Sequence, residues 1–207
     1  MKRALTLIVL IVTPTMAFAQ GLVGFINNTA GLVRQWTSST DPTLISVPVG
    51  GGMVELLTAP NGTPFTPLGS LSVSGFNLNY PTLEAFLAAN PGWQSVAATG
   101  FAPVPGRFNG GTVTLQSSIP GGAIAEYVMI AWTGAAATLD QAILANAFVD
   151  SGPMLTTTTG SGGIPPIAAT PLSFTFTGLT LAVIPEPTTL ALVGLGAAAL
   201  MIFRRRR

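Results

Sequence analysis

Residues 109–132 read NGGTVTLQSSIPGGAIAEYVMIAW, and this stretch decides the fold. Asn109-Gly110-Gly111 is a turn signal. After it Val113 and Leu115 alternate with Thr112, Thr114 and Gln116, the two-residue period of a half-buried strand over Thr112 to Ser117. Pro120-Gly121-Gly122 breaks the chain again before an apolar run from Ala123 to Trp132. In that run Ile124, Val128 and Ile130 are predicted core residues, and Trp132 an aromatic anchor. Two β-like runs separated by a Pro-Gly-Gly turn imply a sheet.

The same punctuation continues on both sides. Towards the N-terminus, Leu22 to Ile26 ends at Asn27-Asn28, and Leu32 to Trp36 follows. Met53 to Thr58 lies between Gly50-Gly51-Gly52 and Pro60-Asn61-Gly62, and Thr66 to Phe76 offers Val73 and Phe76 as core residues. Towards the C-terminus, the Thr- and Gly-rich Gly152 to Pro166 reads as an exposed connection. Leu172 to Val183, with Phe174 and Phe176 alternating with Ser173 and Thr175, closes the sheet. Two stretches are helical. Thr82 is an N-cap for Leu83 to Ala89, with Glu84 in the first turn and Asn90-Pro91-Gly92 as the stop. Thr138 and Gln141 form a capping box for a helix to about Ala147, with Ile143, Leu144 and Phe148 on one side. The predicted fold is an all-β antiparallel sandwich, jelly-roll or immunoglobulin-like, over residues 20–184, decorated by one or two short loop helices.

Both ends of the chain read as addresses. Lys2 and Arg3, the apolar Ala4 to Val12, Pro14 and the small-x-small Ala17-Phe18-Ala19 predict a signal peptide over 1–19, cleaved before Gln20. Residues 183–207 read VIPEPTTLALVGLGAAALMIFRRRR. Pro185 and Pro187 bias Ile184 to Pro187 towards extended backbone, the form a processing enzyme binds. As a helix, Thr189 to Phe203 would span roughly 23 Å against a hydrocarbon core of about 30 Å, a short transmembrane segment suited to a transient anchor. Arg204, Arg205, Arg206 and Arg207 resist translocation and retain the end in the cytoplasm.

The order Pro185-Glu186-Pro187, short apolar helix, terminal arginines resembles the PEP-CTERM sorting signal, with Ile184 where that family has Val and Thr188 where it has Ser. The resemblance implies a partner, an exosortase, which is a membrane cysteine transpeptidase that removes the tail and passes the protein to the cell surface. Gly24-Phe25-Ile26-Asn27-Asn28, Val54-Glu55-Leu56-Leu57, Thr66-Pro67-Leu68-Gly69, Gly110-Gly111-Thr112-Val113 and Ala131-Trp132 resemble a planctomycete-type group of such proteins. That likeness implies a single β-domain and carries no activity.

Composition removes most chemistries. Between the two addresses Arg34 and Arg107 face Asp41, Glu55, Glu84, Glu126, Asp140 and Asp150, a net charge of −4 that provides no footprint for nucleic acid. The chain has no histidine and no cysteine, which excludes Ser-His-Asp and Cys-His catalysis, the usual zinc and haem ligation, and disulfides. Neither a phosphate loop nor an EF-hand spacing occurs, so no cofactor or metal is expected. Paired-carboxylate chemistry needs two acids within roughly 5 to 10 Å. Glu84 and Asp140 are more simply read as first-turn helix residues. Trp93, Trp36 and Tyr80 are candidate glycan-stacking residues, with extracellular polysaccharide as the partner they would bind. The expectation is a non-enzymatic protein, exported, anchored in the inner membrane as a precursor, then delivered to the cell surface or matrix in a structural or adhesive role. The alternative is a carbohydrate-binding module on the same scaffold.

Overall fold

A computed structural model describes residues 19–185. Within them run β1 (Gly21–Ile26), β2 (Val33–Ser38), β3 (Asp41–Ser46), β4 (Gly52–Pro60), β5 (Gly69–Ser72), β6 (Gly75–Leu78), α1 (Leu83–Ala89), β7 (Gln94–Gly100) and β8 (Asn109–Thr114). They are followed by β9 (Ile124–Thr133), α2 (Leu139–Leu144), β10 (Phe148–Ser151), β11 (Leu155–Thr158), β12 (Gly160–Ser161), β13 (Thr170–Pro171) and β14 (Leu179–Val183). The residues predicted as signal peptide up to Phe18, Ala17 among them, and those from Glu186 to Arg207 lie outside the described residues.

The protein is an all-β sandwich. The larger sheet has the order β3-β2-β14-β10-β9-β4-β7, with β11 pairing on β9 beside β10. The smaller one is centred on β1, with β8 on one edge and β12 and β13 sharing the other. Two pairings depart from the antiparallel expectation: β14 runs parallel to β2, and β13 parallel to β1.

The central strands are covered on both faces. In β9, Ala125, Tyr127, Met129 and Ala131 point into the core shared with the small sheet, where Val23, Phe25, Val113 and Leu115 meet them. Val128, Ile130 and Trp132 point the other way, into a second core closed by Leu68, Phe76, Phe86, Leu139 and Ala142. A strand buried on both sides is apolar throughout instead of alternating, which is why the run from Ala123 shows no clean two-residue period. The two helices and the β5–β6 hairpin are therefore the lid of this second core. They do more than decorate loops.

Local chemistry sets the helices where the sequence placed their starts. Thr82 Oγ1 accepts the Ala85 N–H at 3.1 Å, and Thr138 Oγ1 accepts the Gln141 N–H at 3.3 Å. The Gln141 side chain reaches back to the Ala137 N–H, one residue before the cap, at 3.1 Å. Asp140 in the first turn of α2 accepts the Leu83 N–H of α1 at 2.7 Å, so α2 satisfies one of the orphan donors at the start of α1. Thr82→Ala should lower stability by about 1 kcal/mol; a urea titration of the variant against the parent measures it, and no change would mean that the cap is redundant with Asp140.

Several expectations are corrected. Val73 is fully exposed at the tip of the β5–β6 hairpin, because a two-residue turn leaves no partner for it, whereas Phe76 is buried as expected. Ile124 is half exposed at the end of β9. Helix α2 stops at Leu144, which is 85 % exposed, and Phe148 opens β10 instead of extending the helix face. Asn146, with φ of 52°, provides the left-handed residue that turns the chain there. The Thr- and Gly-rich stretch is not a free loop. Its residues 155–158 pair with β9, and Gly160–Ser161 crosses to pair with β1, with Thr159 buried between the sheets. Residues 172–174 form a 3-10 turn that leaves Phe174 exposed and Phe176 buried, so the closing strand begins only at Leu179.

Candidate functional site

The closing strand hands the chain directly to the Pro-Glu-Pro tripeptide. β14 lies inside the large sheet, parallel to β2 through Leu179–Leu181 and antiparallel to β10, where Val183 pairs with Phe148 and Ala182 with Val149. Ala182 is buried in the second core, and Val183 and Ile184 pack against it. Pro185 is partly buried. There is no spacer: one residue, Ile184, separates the last strand residue from the first proline. The N-terminal junction is as tight, since Ala19 O accepts the Gly121 N–H at 2.8 Å and β1 begins at Gly21.

The wall of the C-terminal junction is Gly75, the first residue of β6. Its φ of 131° is open to glycine and strained for any other residue, and a Cβ there would fall on the Val183 carbonyl oxygen and 3.2 Å from Pro185 Cδ. Nothing in the chain reading pointed to Gly75, because the need for a bare backbone appears only when the hairpin is laid across the end of β14. Gly75→Ala should cost about 2 kcal/mol or more through strain and displacement of β14. Denaturant titration measures the loss, and a stability equal to the parent's would show that the hairpin does not press on the junction.

The candidate sugar-stacking residues take other positions. Trp93 is 3 % exposed, packed against Phe65 with ring centroids 5.0 Å apart and planes tilted by 49°, and its Nε1–H is donated to Pro64 O at 3.1 Å. Trp36 is buried in the same second core, and Tyr80 sits half-buried with its ring edge-on to Phe86 at 5.7 Å. These rings close the face of the large sheet; neither tryptophan offers a face to a flat ligand. Trp132, predicted as core, is fully buried. Asn27, first residue of an Asn-x-Thr triplet, is fully buried too. Its amide donates to Gly31 O and Gly106 O at 2.7 and 2.9 Å, and its Oδ1 accepts the Phe108 N–H, which makes it a structural hub.

Most of the carboxylates are engaged in the fold. Glu55 takes the hydroxyl of Ser95 as a hydrogen-bond donor, and burial raises its pKa, a shift that the Ser95 bond opposes and the charge of Asp140 reinforces. Asp150 accepts the Thr180 N–H at 2.9 Å and is pushed up to about 7 by burial, against the lowering effect of hydrogen bonds from Thr180 and Ser151. Glu126 accepts the Gly62 N–H at 2.8 Å and pins the β4 turn. Glu84 stands exposed in the first turn of α1. A surface cleft of about 320 Å³ opens where the helices and hairpin do not reach, bounded by Leu32, Arg34, Leu44, Thr177 and Thr180. Arg34 is the one exposed cation among the described residues, Arg107 being partly buried.

Comparison with protein families assigns the junction. Residues 183–207 match the family model for the PEP-CTERM protein-sorting motif. The chain carries a PEP-CTERM sorting motif. The match starts at Val183, the last residue of β14, so the PEP-CTERM motif and the folded domain share a residue. No curated protein and no solved structure gives a match, and the β-domain stands on its own geometry. Of the sorting residues, Pro185 is placed by the structure against the β5–β6 hairpin. Glu186, Pro187 and Arg204 to Arg207 lie outside the described residues. The PEP-CTERM motif supports an exported protein that an exosortase processes.

Proposed function

We propose that the domain over residues 20–184 is the cargo of this sorting route, a cell-surface or extracellular-matrix component with a structural or adhesive role and no catalytic one. The observation that carries this reading is the PEP-CTERM match running on from the closing strand without a spacer, which makes the whole β-domain the delivered object. The apolar tail segment holds the precursor in the inner membrane only until an exosortase removes it, with the terminal arginines keeping the end in the cytoplasm. The surface supports an associative role. It carries few charges, and Val73, Leu144, Ile164 and Phe174 are exposed apolar side chains. A surface of low charge favours association over repulsion.

The test is a pair of strains of the native host, one producing the full chain and one a chain ending at Pro185. Only the full chain should reach the surface fraction, without its tail, and only that strain should retain normal cell-to-matrix cohesion. Equal cohesion in both strains would remove the adhesive role, and equal surface display would remove the sorting role. The carbohydrate-binding alternative now has less to rest on, because Trp93 and Trp36 are consumed by the second core. Its remaining foothold is the cleft at Arg34, which suits an anionic polysaccharide.

A further inference from the structure

β3 is the outermost strand of the large sheet, and among the described residues no strand pairs with its outer side. Val47 N–H donates to Val33 O at 3.2 Å, which turns the backbone of Val47 towards β2. Successive residues of an antiparallel strand face alternate sides, so Ile45, opposite Gln35 in the register, also bonds towards β2. The N–H and C=O groups of Leu44 and Ser46 therefore point outwards, the condition that invites another strand. Prolines close this open stretch at both ends. Pro42 and Pro48 stand three residues either side of Ile45, neither has an N–H, and the Pro48 carbonyl is already taken by the Gly51 N–H. What remains is a short edge whose donors and acceptors are symmetric about Ile45. The side chains agree with it. Leu44 and Ile45 are 41 % and 43 % exposed, and residues 42–49 carry no charge. The only two cations of residues 20–184 lie at the Ser46 end: Arg34 is opposite Ser46, and Arg107 follows Gly106, whose N–H donates to Val47 O at 2.7 Å. Asp41 lies at the other end of the strand.

We propose that two copies of the domain pair antiparallel through β3, about a two-fold axis at Ile45, and so join their large sheets into one. In this register Leu44 and Ser46 exchange hydrogen bonds with Ser46 and Leu44 of the second copy, and Ile45 faces Ile45 of the second copy. Pro42 faces Pro48 of the second copy, where no N–H is left without a partner. The antiparallel sense carries Asp41 of each copy towards the end where the other holds Arg34 and Arg107, so the charges are complementary on both sides of the axis. A strand pair of this length buries less than about 1,200 Å², the low end of specific interfaces, so the pairing is weak in dilute solution and favoured where copies are concentrated, as in a matrix. It goes beyond the delivery reading above and stands whether or not the tail is processed.

The chain has no cysteine, so a single introduced one reports the pairing. Ile45 and its copy form a non-hydrogen-bonded pair with Cα atoms about 4.5 Å apart, within the span of about 4.4–6.8 Å that a disulfide bridges. The full-length Ile45→Cys chain in detergent micelles, under mild oxidation, should form disulfide-linked dimers about tenfold faster than Leu144→Cys, whose side chain is 85 % exposed on α2, because pairing makes the step intramolecular. Association through the apolar tail would link both variants alike, and equal rates overturn the proposal. In the Ile45→Cys chain, Leu44→Pro removes an outward donor and leaves the bonds to β2 in place. It should return the rate to that of Leu144→Cys with the circular dichroism spectrum unchanged. Linking that survives Leu44→Pro overturns the strand pairing, and faster linking of Leu44→Cys than of Ile45→Cys overturns the register.

Discussion

Replacing Trp132 by Ala should destabilise the domain by about 3–5 kcal/mol, a large part of the roughly 5–15 kcal/mol that folds a domain. The indole is fully buried on the strand at the centre of the large sheet, and its Nε1–H donates to Ala136 O at 2.8 Å, tying β9 to the turn that leads into α2. Truncation leaves a cavity between the sheet and its helical lid, and an acceptor without its donor. Trp132→Phe retains most of the volume and should cost far less. Leu144→Ala is the control, since that side chain is 85 % exposed and its loss should stay within about 0.5 kcal/mol. Urea titrations of the three variants decide the matter. If Trp132→Ala and Leu144→Ala cost the same, the second core does not stabilise the fold as described.

Stability should also fall as pH rises from about 4 to about 7, opposite to the usual behaviour of carboxylates in native proteins. Asp150 has an ordinary value of 3.8 and is pushed up to about 7 by burial between β9 and β14. In the window between those values the native state binds a proton that the unfolded chain does not. The contribution is therefore complete below the unfolded value and is lost as pH climbs through the folded one. The difference amounts to roughly 4 kcal/mol. Glu55, also raised by burial, acts in the same direction. Asp150→Asn keeps an acceptor for the Thr180 N–H and has no charge to bury, so its stability should fall much less than the parent's over this window, the remainder being the share of Glu55, and exceed the parent's at pH 8. Denaturation midpoints at pH 4, 6 and 8 measure it. A variant with the parent's slope would place the titrating group elsewhere.

What could be read along the chain was what depends on neighbours a few residues away. Thr82 and Thr138 announced both helix starts, because capping is a bond between a side chain and an N–H three positions on. Leu22 to Ile26 and Met53 to Thr58 announced β1 and β4 by their apolar content and flanking turns. Strands whose burial is partial were harder to see. β3, Asp41–Ser46, is a largely exposed edge containing Pro42, and β7 is small and polar as far as Gly100. Both are strands because a neighbouring edge receives their backbone groups, and residue type does not record that. The Thr- and Gly-rich stretch from Gly152 to Pro166 looked like a loop for the same reason, yet β9 accepts its residues 155–158 and β1 accepts Gly160–Ser161.

The candidate site divides along the same line. The sorting tail was legible as Pro185-Glu186-Pro187, an apolar run and four arginines, because an address is read as a linear peptide, and the family match at residues 183–207 agrees. Trp93 and Trp36 were offered as ligand platforms because a tryptophan in a loop and one in a core have the same local sequence. Only packing separates them.

By itself, then, the chain determined its C-terminal sorting motif, its two helix starts, its β-rich class and the chemistries denied to it by the absence of histidine and cysteine. These follow from short-range bonding and from composition. The tertiary structure alone decided that the large sheet is covered on both faces, that β14 and β2 run parallel, that Asp150 is buried, and that the end of β14 is held against Gly75 at the start of the sorting motif. Each of these is a contact between segments far apart in the chain. Its free energy exists only once both are in place, so neither segment carries a sign of it.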